Sequence, residues 1–195
     1  MRASFVLALS LALALGGRTL AEDAAPGMDE AGMKLWQEKT TPGPEHEALM
    51  KLAGEYEVAS KMFMAPEQPP QEGKGAATFT PVLGGRFLKQ EYKGEMMGQP
   101  FDGLGFDGYD KIKKEYVTVW FDSMGTWPTL FRGKVQEEGK SFEFHATCPC
   151  PITNEEIKFR AVHATVSADS FIFTMYETRG GKENKMMELT YTRKK

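Results

Sequence analysis

The sequence has few of the residues and motifs on which the common enzyme classes depend. Its 195 residues include only three histidines and two cysteines. No Gly-x-Ser-x-Gly, His-Glu-x-x-His, P-loop or Rossmann glycine motif occurs in it, and these motifs carry the usual serine-hydrolase, zinc-protease and nucleotide-binding chemistries. The sequence therefore gives no support to the common forms of these three classes.

The chain also lacks a strong excess of charge of either sign. It has 24 basic and 27 acidic residues and a formal net charge of −3. Binding to a nucleic-acid backbone requires a basic surface, so this balance argues against nucleic acid as a partner. No apolar run long enough to cross a membrane follows the first 21 residues, and we expect no stable membrane insertion once a leader has been removed.

The N-terminus has the three parts of a secretory signal peptide. Met1-Arg2 is a short basic start, residues 5–15 form an apolar segment, and Thr19-Leu20-Ala21 resembles a small-x-small cleavage site. We expect cleavage after Ala21 and a periplasmic or secreted protein. An uncleaved anchor is the alternative, and the lack of a cysteine near the cleavage point argues against a lipoprotein.

The remaining chain divides into a tether and one domain. Residues 22–44 are rich in Ala, Pro, Gly and acidic residues, which predicts a disordered tether with one short turn at 33–36. Residues 45–195 form the predicted domain, which begins with a short helix over 45–53 that ends at Gly54.

Ten strand-like segments follow the helix, separated by turn signals. This spacing is typical of an antiparallel barrel or sandwich, and no helix lies between the strands to connect a parallel sheet. Gly98, Gly103, Gly105 and Gly108 crowd one of these segments, and glycines at such density indicate bends or a close backbone approach. The ten predicted strands are 56–64, 75–80, 86–96, 101–109, 116–122, 129–136, 141–147, 156–167, 170–178 and 186–193.

Several motifs resemble known families. Gly54-Glu55-Tyr56 resembles the Gly-x-Trp opening of lipocalins and other calycins, in which a basic residue of the last strand lies across the aromatic ring; Arg193 is the candidate here, through a cation–π contact. Four further motifs occur in order along the chain: Leu52-Ala-Gly-Glu-Tyr56, Gly84-Gly-Arg-Phe-Leu88, the segment 98–110 and Trp120-Phe-Asp-Ser-Met-Gly-Thr126. Together they resemble the bacterial domain-of-unknown-function family 1579, placed among the lipocalin-like calycins, over most of the chain.

The resemblance implies a fold and no established activity. The predicted class is all-β: a single antiparallel lipocalin-like β-barrel of about ten strands with a short N-terminal helix. Alternate side chains of a barrel strand point inward, so Tyr116, Thr118, Trp120 and Asp122 are expected to face a cavity, with Gln90 on a neighbouring strand. The alternative is that Trp120 is ordinary core and Asp122-Ser123 caps a turn. The predicted ligand-binding residues are Arg86, Tyr92, Tyr109, Tyr116, Trp120, Asp122 and Arg160.

Cys148-Pro-Cys150 is the sharpest chemical feature of the sequence. In an exported chain a cysteine pair usually oxidises, so we predict a Cys148–Cys150 disulfide. A less favoured alternative is a Zn or Cu(I) site made by both thiols with His145 and His163. A third interpretation is that both cysteines are free and inert.

Three functional classes are consistent with these features. The leading hypothesis is non-catalytic binding of a small apolar or amphipathic ligand in the barrel, with no cofactor; a heme or metal variant would use His145 or His163. The second is a barrel-housed hydrolase or isomerase that uses Asp122, Ser123 and His163. The third is a protein-interaction module with a filled barrel, which a measurement of the barrel's internal volume separates from the first.

Overall fold

The computed structural model describes residues 29–65, 67–137 and 140–195. The predicted signal peptide, its cleavage site after Ala21 and residues 22–28 of the tether lie outside these ranges. No helix of the described residues is both long enough and apolar enough to cross a membrane.

Two helices precede ten strands. Residues 39–195 form a compact unit of their own, and most of helix α1 precedes it. Helix α1 buries none of its residues. The elements are α1 Glu30–Thr40, α2 Pro44–Met50, β1 Gly54–Met62, β2 Gln71–Val82, β3 Phe87–Met96, β4 Gln99–Asp110, β5 Glu115–Asp122, β6 Thr129–Glu137, β7 Ser141–Pro149, β8 Glu156–Ser167, β9 Ser170–Arg179 and β10 Lys182–Arg193.

The ten strands form one closed antiparallel barrel, which confirms the predicted fold class. Each strand pairs with its neighbours in the sequence, and β1 pairs with β10 to close the ring. Closure leaves no exposed sheet edge. Because side chains alternate along each strand, one half of every strand faces the interior and the other half faces outward.

The bounds of some elements differ from the sequence-based expectation. β2 begins at Gln71 and β10 at Lys182, four residues earlier than predicted in each case. Their first residues are polar and half-buried or exposed, so no hydrophobic alternation marks them; pairing such as Met62 with Gln71 provides their backbone bonds instead. α2 ends at Met50, before the expected 53. α1 has 11 residues where only one turn was expected, while the role of 22–44 as a tether stays a prediction.

Aromatic packing and α2 close one end of the barrel. Tyr56 is 1% exposed, and its ring contacts those of Phe79 and Phe171, each with centroids 5.4 Å apart. The Tyr56 hydroxyl donates to the carbonyl oxygen of Leu52, just after α2, at 3.0 Å. Leu49 of α2 is buried against this end. Buried aromatic rings therefore fill the α2 end of the barrel, and the same buried cluster continues along the wall to Tyr92 and Phe101.

Candidate ligand-binding cavity

The barrel encloses a cavity of about 460 Å³. Leu49 and Leu52 form its floor, and the exposed Met124 and Trp127 lie at its opposite, open end. Ligand sites of small molecules typically have volumes of about 300–1,000 Å³. The barrel is thus not packed solid, so the filled interior that the interaction-module hypothesis assumed is not observed.

The cavity wall is mostly aromatic and sulfur-containing. Among the described residues, twelve Phe, Tyr and Trp side chains line it, together with six of the chain's twelve methionines. Met is unbranched and polarisable, so it adapts to ligands of different shape. The methionines concerned are Met62, Met96, Met124, Met175, Met186 and Met187.

Trp120 lies flat against β4, where two glycines give it room. Trp120 pairs with Gly105 in the β4–β5 register. A Cβ atom on Gly103 would lie 2.2 Å from Trp120 Cζ2, and one on Gly105 would lie 3.1 Å from Trp120 Cε3. These strand glycines therefore mark a close approach, as the sequence indicated. The predicted cavity position of Trp120 agrees with this geometry.

Asp122 also lines the cavity, and each of its carboxylate oxygens accepts a hydrogen bond from the chain itself. Oδ2 accepts a hydrogen bond from Trp120 Nε1 at 3.0 Å, and Oδ1 accepts one from the Met124 backbone N–H at 2.9 Å. Both carboxylate oxygens therefore fix the indole ring and the turn at the mouth. Asp122 lies at the cavity as predicted, and its direct contact with a ligand stays a prediction.

The three predicted tyrosines lie at two depths. Tyr92 is buried and lines the cavity. Tyr116 and Tyr109 contact each other, with ring centroids 4.9 Å apart, and lie below the cavity at the α2 end, where Tyr109 contacts His46. They support the floor and do not line the cavity. Desolvation raises the pKa of Tyr116 to about 12, so its phenol stays neutral.

Both predicted arginines are outside the cavity, which corrects the sequence analysis. Arg86 lies in the β2–β3 turn, is exposed, and donates to the Leu83 carbonyl oxygen at 3.2 Å. Arg160 lies on the outer face of β8, where its Nη2 is 2.8 Å from Glu183 Oε2 and its guanidinium covers the Tyr176 ring at 4.1 Å. Side chains alternate between the two faces of a strand, and because Phe159 and Ala161 face inward, Arg160 between them faces outward.

His163 faces the cavity and is enclosed by aromatic rings. It stacks on Phe171 with centroids 4.4 Å apart and meets Phe142 edge-on at 5.7 Å. Neither ring nitrogen has a hydrogen-bond partner among the described residues. Burial lowers the pKa of His163 to about 4, so the imidazole is neutral at physiological pH. Buried polar atoms without partners are uncommon and often mark functional positions.

A second interior polar group, Asp107, was missed by the sequence analysis. Thr118 Oγ1 donates to Asp107 Oδ1 at 2.5 Å, and desolvation raises the pKa of Asp107 to about 6. Nearby, Gln90 Nε2 donates to the Tyr191 hydroxyl at 3.1 Å. The alternation of side chains along β4 could have identified Asp107, because every second residue faces inward and Asp107 follows Phe101 and Gly105 in that series.

The cysteine pair lies at the cavity mouth, and both thiols are free in the structure. Cys148 lines the cavity, and its thiol pKa is raised by burial. The Cys148–Cys150 disulfide stays a prediction. The metal alternative fails, because His145 is on the outer face against Glu143, at 3.0 Å, while His163 faces inward. No group of three or more metal-ligating side chains occurs in the described ranges.

The catalytic alternative is also not assembled. Ser123 lies in the exposed turn after β5, where its Oγ accepts a hydrogen bond from the Asp102 N–H at 3.1 Å. His163 lies at the level of Tyr116, because Phe142 contacts both rings. Asp122 is six residues further along β5, a separation of about 20 Å at the rise of a strand. These residues cannot act as one catalytic group.

The lipocalin-like pairing of the first and last strands is present. The Arg193 guanidinium carbon lies 4.8 Å from the centroid of the Tyr56 ring, which confirms the predicted cation–π contact. Gly54 has φ +144, and a Cβ there would lie 2.3 Å from Arg193 Nη1. Glycine at position 54 therefore leaves the space that the Arg193 guanidinium occupies beside the Tyr56 ring.

Three solved structures are similar to the chain at low sequence identity. Rv2717c from M. tuberculosis is 15% identical, with a TM-score of 0.57 over 80% of this chain and 100% of the other. A redesigned β-barrel, b11L5F_LGL, is 17% identical, with a TM-score of 0.41 over 76% and 96% of the two chains. EF1p2_mFAP2b, solved bound to DFHBI, is 15% identical, with a TM-score of 0.41 over 76% and 98%.

The likeness to Rv2717c supports the fold alone. No curated protein matches the chain with significance. A family model described as "Protein of unknown function (DUF1579)" matches residues 41–193, which include α2 and all ten strands. This agrees with the motifs at 52–56, 84–88, 98–110 and 120–126. The chain belongs to the DUF1579 family.

Proposed function

We propose that this protein is an exported, non-catalytic binder of a small, largely apolar ligand held in the barrel cavity. The observation that carries the proposal is the 460 Å³ cavity lined by aromatic rings and six methionines. A closed barrel gains stability when its interior is filled. An unfilled apolar interior therefore lowers the stability of the fold, and a bound ligand would restore it. The signal peptide predicted from the sequence of residues 1–21 is the basis for proposing export.

Binding is tested with a neutral apolar fluorophore, N-phenyl-1-naphthylamine. We expect its emission to rise on addition to the full chain and to saturate at one molecule per barrel. Thr129 lines the cavity and the neighbouring Leu130 is exposed on the outer face of β6. Thr129→Trp should weaken binding at least about tenfold, or 1.4 kcal/mol, because the indole occupies cavity volume.

Leu130→Trp is the matched control, since it adds the same ring outside the barrel and should leave the affinity unchanged. Equal loss in both variants, or no saturable binding by the wild-type protein, would refute a cavity site. Export is tested separately: mature protein recovered from the periplasm or medium should begin at Glu22, and a chain that retains residues 1–21 would contradict cleavage.

A further inference from the structure

The charges around the cavity are all of one sign. Among the described residues that line it, Glu95, Asp107 and Asp122 carry carboxyl groups, and none is a lysine or arginine. The two arginines predicted to bind a ligand, Arg86 and Arg160, are in a turn and on the outer face. An anionic ligand such as a fatty acid would therefore meet no basic partner inside the barrel.

Only one of the three carboxyl groups is both interior and incompletely paired. Glu95 is exposed at the rim, and both oxygens of Asp122 accept hydrogen bonds from Trp120 and Met124. Asp107 accepts one hydrogen bond, from Thr118, and forms no ion pair with any described residue. A carboxylate enclosed without a counter-charge is costly, and a cation from outside the chain would remove that cost.

The surrounding wall adds acceptors and ring faces. His163, with both ring nitrogens unpartnered, stacks on Phe171, which in turn stacks on Tyr191 at 4.3 Å. The Tyr191 hydroxyl accepts a hydrogen bond from Gln90, which pairs with Gly105, two residues before Asp107 on β4. A neutral imidazole offers one acceptor nitrogen, and aromatic faces attract cations. These features favour a hydrogen-bond-donating, positively charged head group.

We infer that the ligand is an amphipathic amine whose protonated amino group pairs with Asp107, while the aromatic and methionine wall holds its apolar body. This inference rests on the proposed function, since it names the chemical class that the same cavity takes. In this inference Asp107 takes the place of Arg86 and Arg160, which the sequence predicted as ligand-binding residues.

Three probes with one chain length and different head groups test the inference. Decylamine, decan-1-ol and decanoate are titrated into the full chain by isothermal calorimetry, below their micelle concentrations. We expect decylamine to bind at least about tenfold more tightly than decan-1-ol, and decanoate to bind most weakly. The tenfold margin is modest for a desolvated ion pair.

Variants of Asp107 identify the group responsible. Asp107→Asn should remove the preference for decylamine and leave the decan-1-ol affinity within about a factor of two. Asp107→Leu tests the same point in an apolar isostere, in case the amide lowers stability. Asp102→Asn is the matched control: the same substitution on the same strand, at an exposed position, should preserve the preference.

The outcomes separate the two proposals. If decan-1-ol binds but decylamine binds no more tightly, the amine inference is wrong and apolar binding stands. If decanoate binds most tightly, the cavity recognises anions and the inference is again wrong. If no probe and no N-phenyl-1-naphthylamine binds, the proposed function itself fails. A decylamine preference that persists in both Asp107 variants would overturn the assignment of Asp107.

Discussion

At the scale of single residues, the interior keeps polar groups that lower stability. His163 has no partner for either ring nitrogen, and Asp107 has one hydrogen bond and no counter-charge among the described residues. Apolar residues at either position would remove a desolvation penalty. Such departures from good packing are expected where a protein retains groups for binding.

The first prediction concerns His163→Phe. The substitution removes two unpartnered nitrogens from an aromatic stack, so we expect the free energy of unfolding to rise by about 1 kcal/mol near pH 8. The gain should grow on acidification, because the pKa of His163 is lowered from 6.5 to about 4. Between these values the unfolded chain takes up a proton and the folded barrel does not, so the wild type loses stability as pH falls.

Near pH 5 the free energy of unfolding of His163→Phe should exceed that of the wild type by about 2 kcal/mol more than it does near pH 8. Urea unfolding of both proteins at the two pH values measures it. His145→Phe is the control, since it makes the same replacement at an exposed position on the outer face, and an equal gain in that variant would contradict the assignment to His163. A His163→Phe variant that is less stable than wild type at both pH values would contradict the reasoning.

At the scale of elements, β4 and β5 form a pair in which glycine on one strand accommodates tryptophan on the other. Gly103 and Gly105 face the Trp120 ring, and Trp120 is fixed by Asp122 at the end of β5. Outward-facing Leu104 and Phe121 pair across the same two strands and are 36% and 41% exposed. The inner face of the pair therefore shapes the mouth of the cavity.

The second prediction is that Gly103→Ala destabilises the barrel by about 1–3 kcal/mol through overpacking against Trp120. Gly105→Ala should cost less, because its Cβ would be 3.1 Å and not 2.2 Å from the ring. In a Trp120→Leu background the cost of Gly103→Ala should fall by at least about 1 kcal/mol. Denaturant unfolding of the wild type, both single variants and the double variant measures how the two substitutions depend on each other. If Gly103→Ala costs the same stability in both backgrounds, the contact with Trp120 is not the cause.

At the scale of the whole molecule, the barrel is closed by its first and last strands. Tyr56 of β1 pairs with Arg193 of β10, and the Arg193 guanidinium donates to the carbonyl oxygens of Lys51 and Ala53 between α2 and β1. One side chain thus joins the end of α2, the Tyr56 ring and the last strand. These contacts connect residues about 140 positions apart.

The third prediction is that Arg193→Ala lowers stability by about 2–4 kcal/mol, through loss of charged hydrogen bonds and the cation–π contact. Arg193→Lys should be intermediate, because an ammonium keeps the charge but not the planar fork. Thermal unfolding measures both. Arg179→Ala, which removes an exposed pair with Glu177, should change stability by less than about 1 kcal/mol; a similar loss there would show that Arg193 has no special role in closure.

Much of the architecture could be predicted from the sequence, because strand periodicity and turn residues are local signals. Strands β5 and β8 follow strong β-formers between clear breaks, and their observed bounds lie within one residue of the prediction. The inward set Thr118, Trp120 and Asp122 follows from alternation alone. Polar strand starts such as Gln71 and Lys182 were missed because pairing with a neighbour, and not local preference, makes them strands.

The sequence by itself determined the barrel, its family and the interior position of Trp120, since these depend on local pattern and motif order. The tertiary structure decided the character of the site. It placed Arg86 in a turn and Arg160 outside, occupied Asp122 with Trp120, and left Asp107 as the interior carboxylate. Whether a charged group lies inside the barrel depends on which face of its strand it occupies. Whether it is paired there depends on the side chains that other strands bring within hydrogen-bonding distance, and the local sequence does not specify those partners.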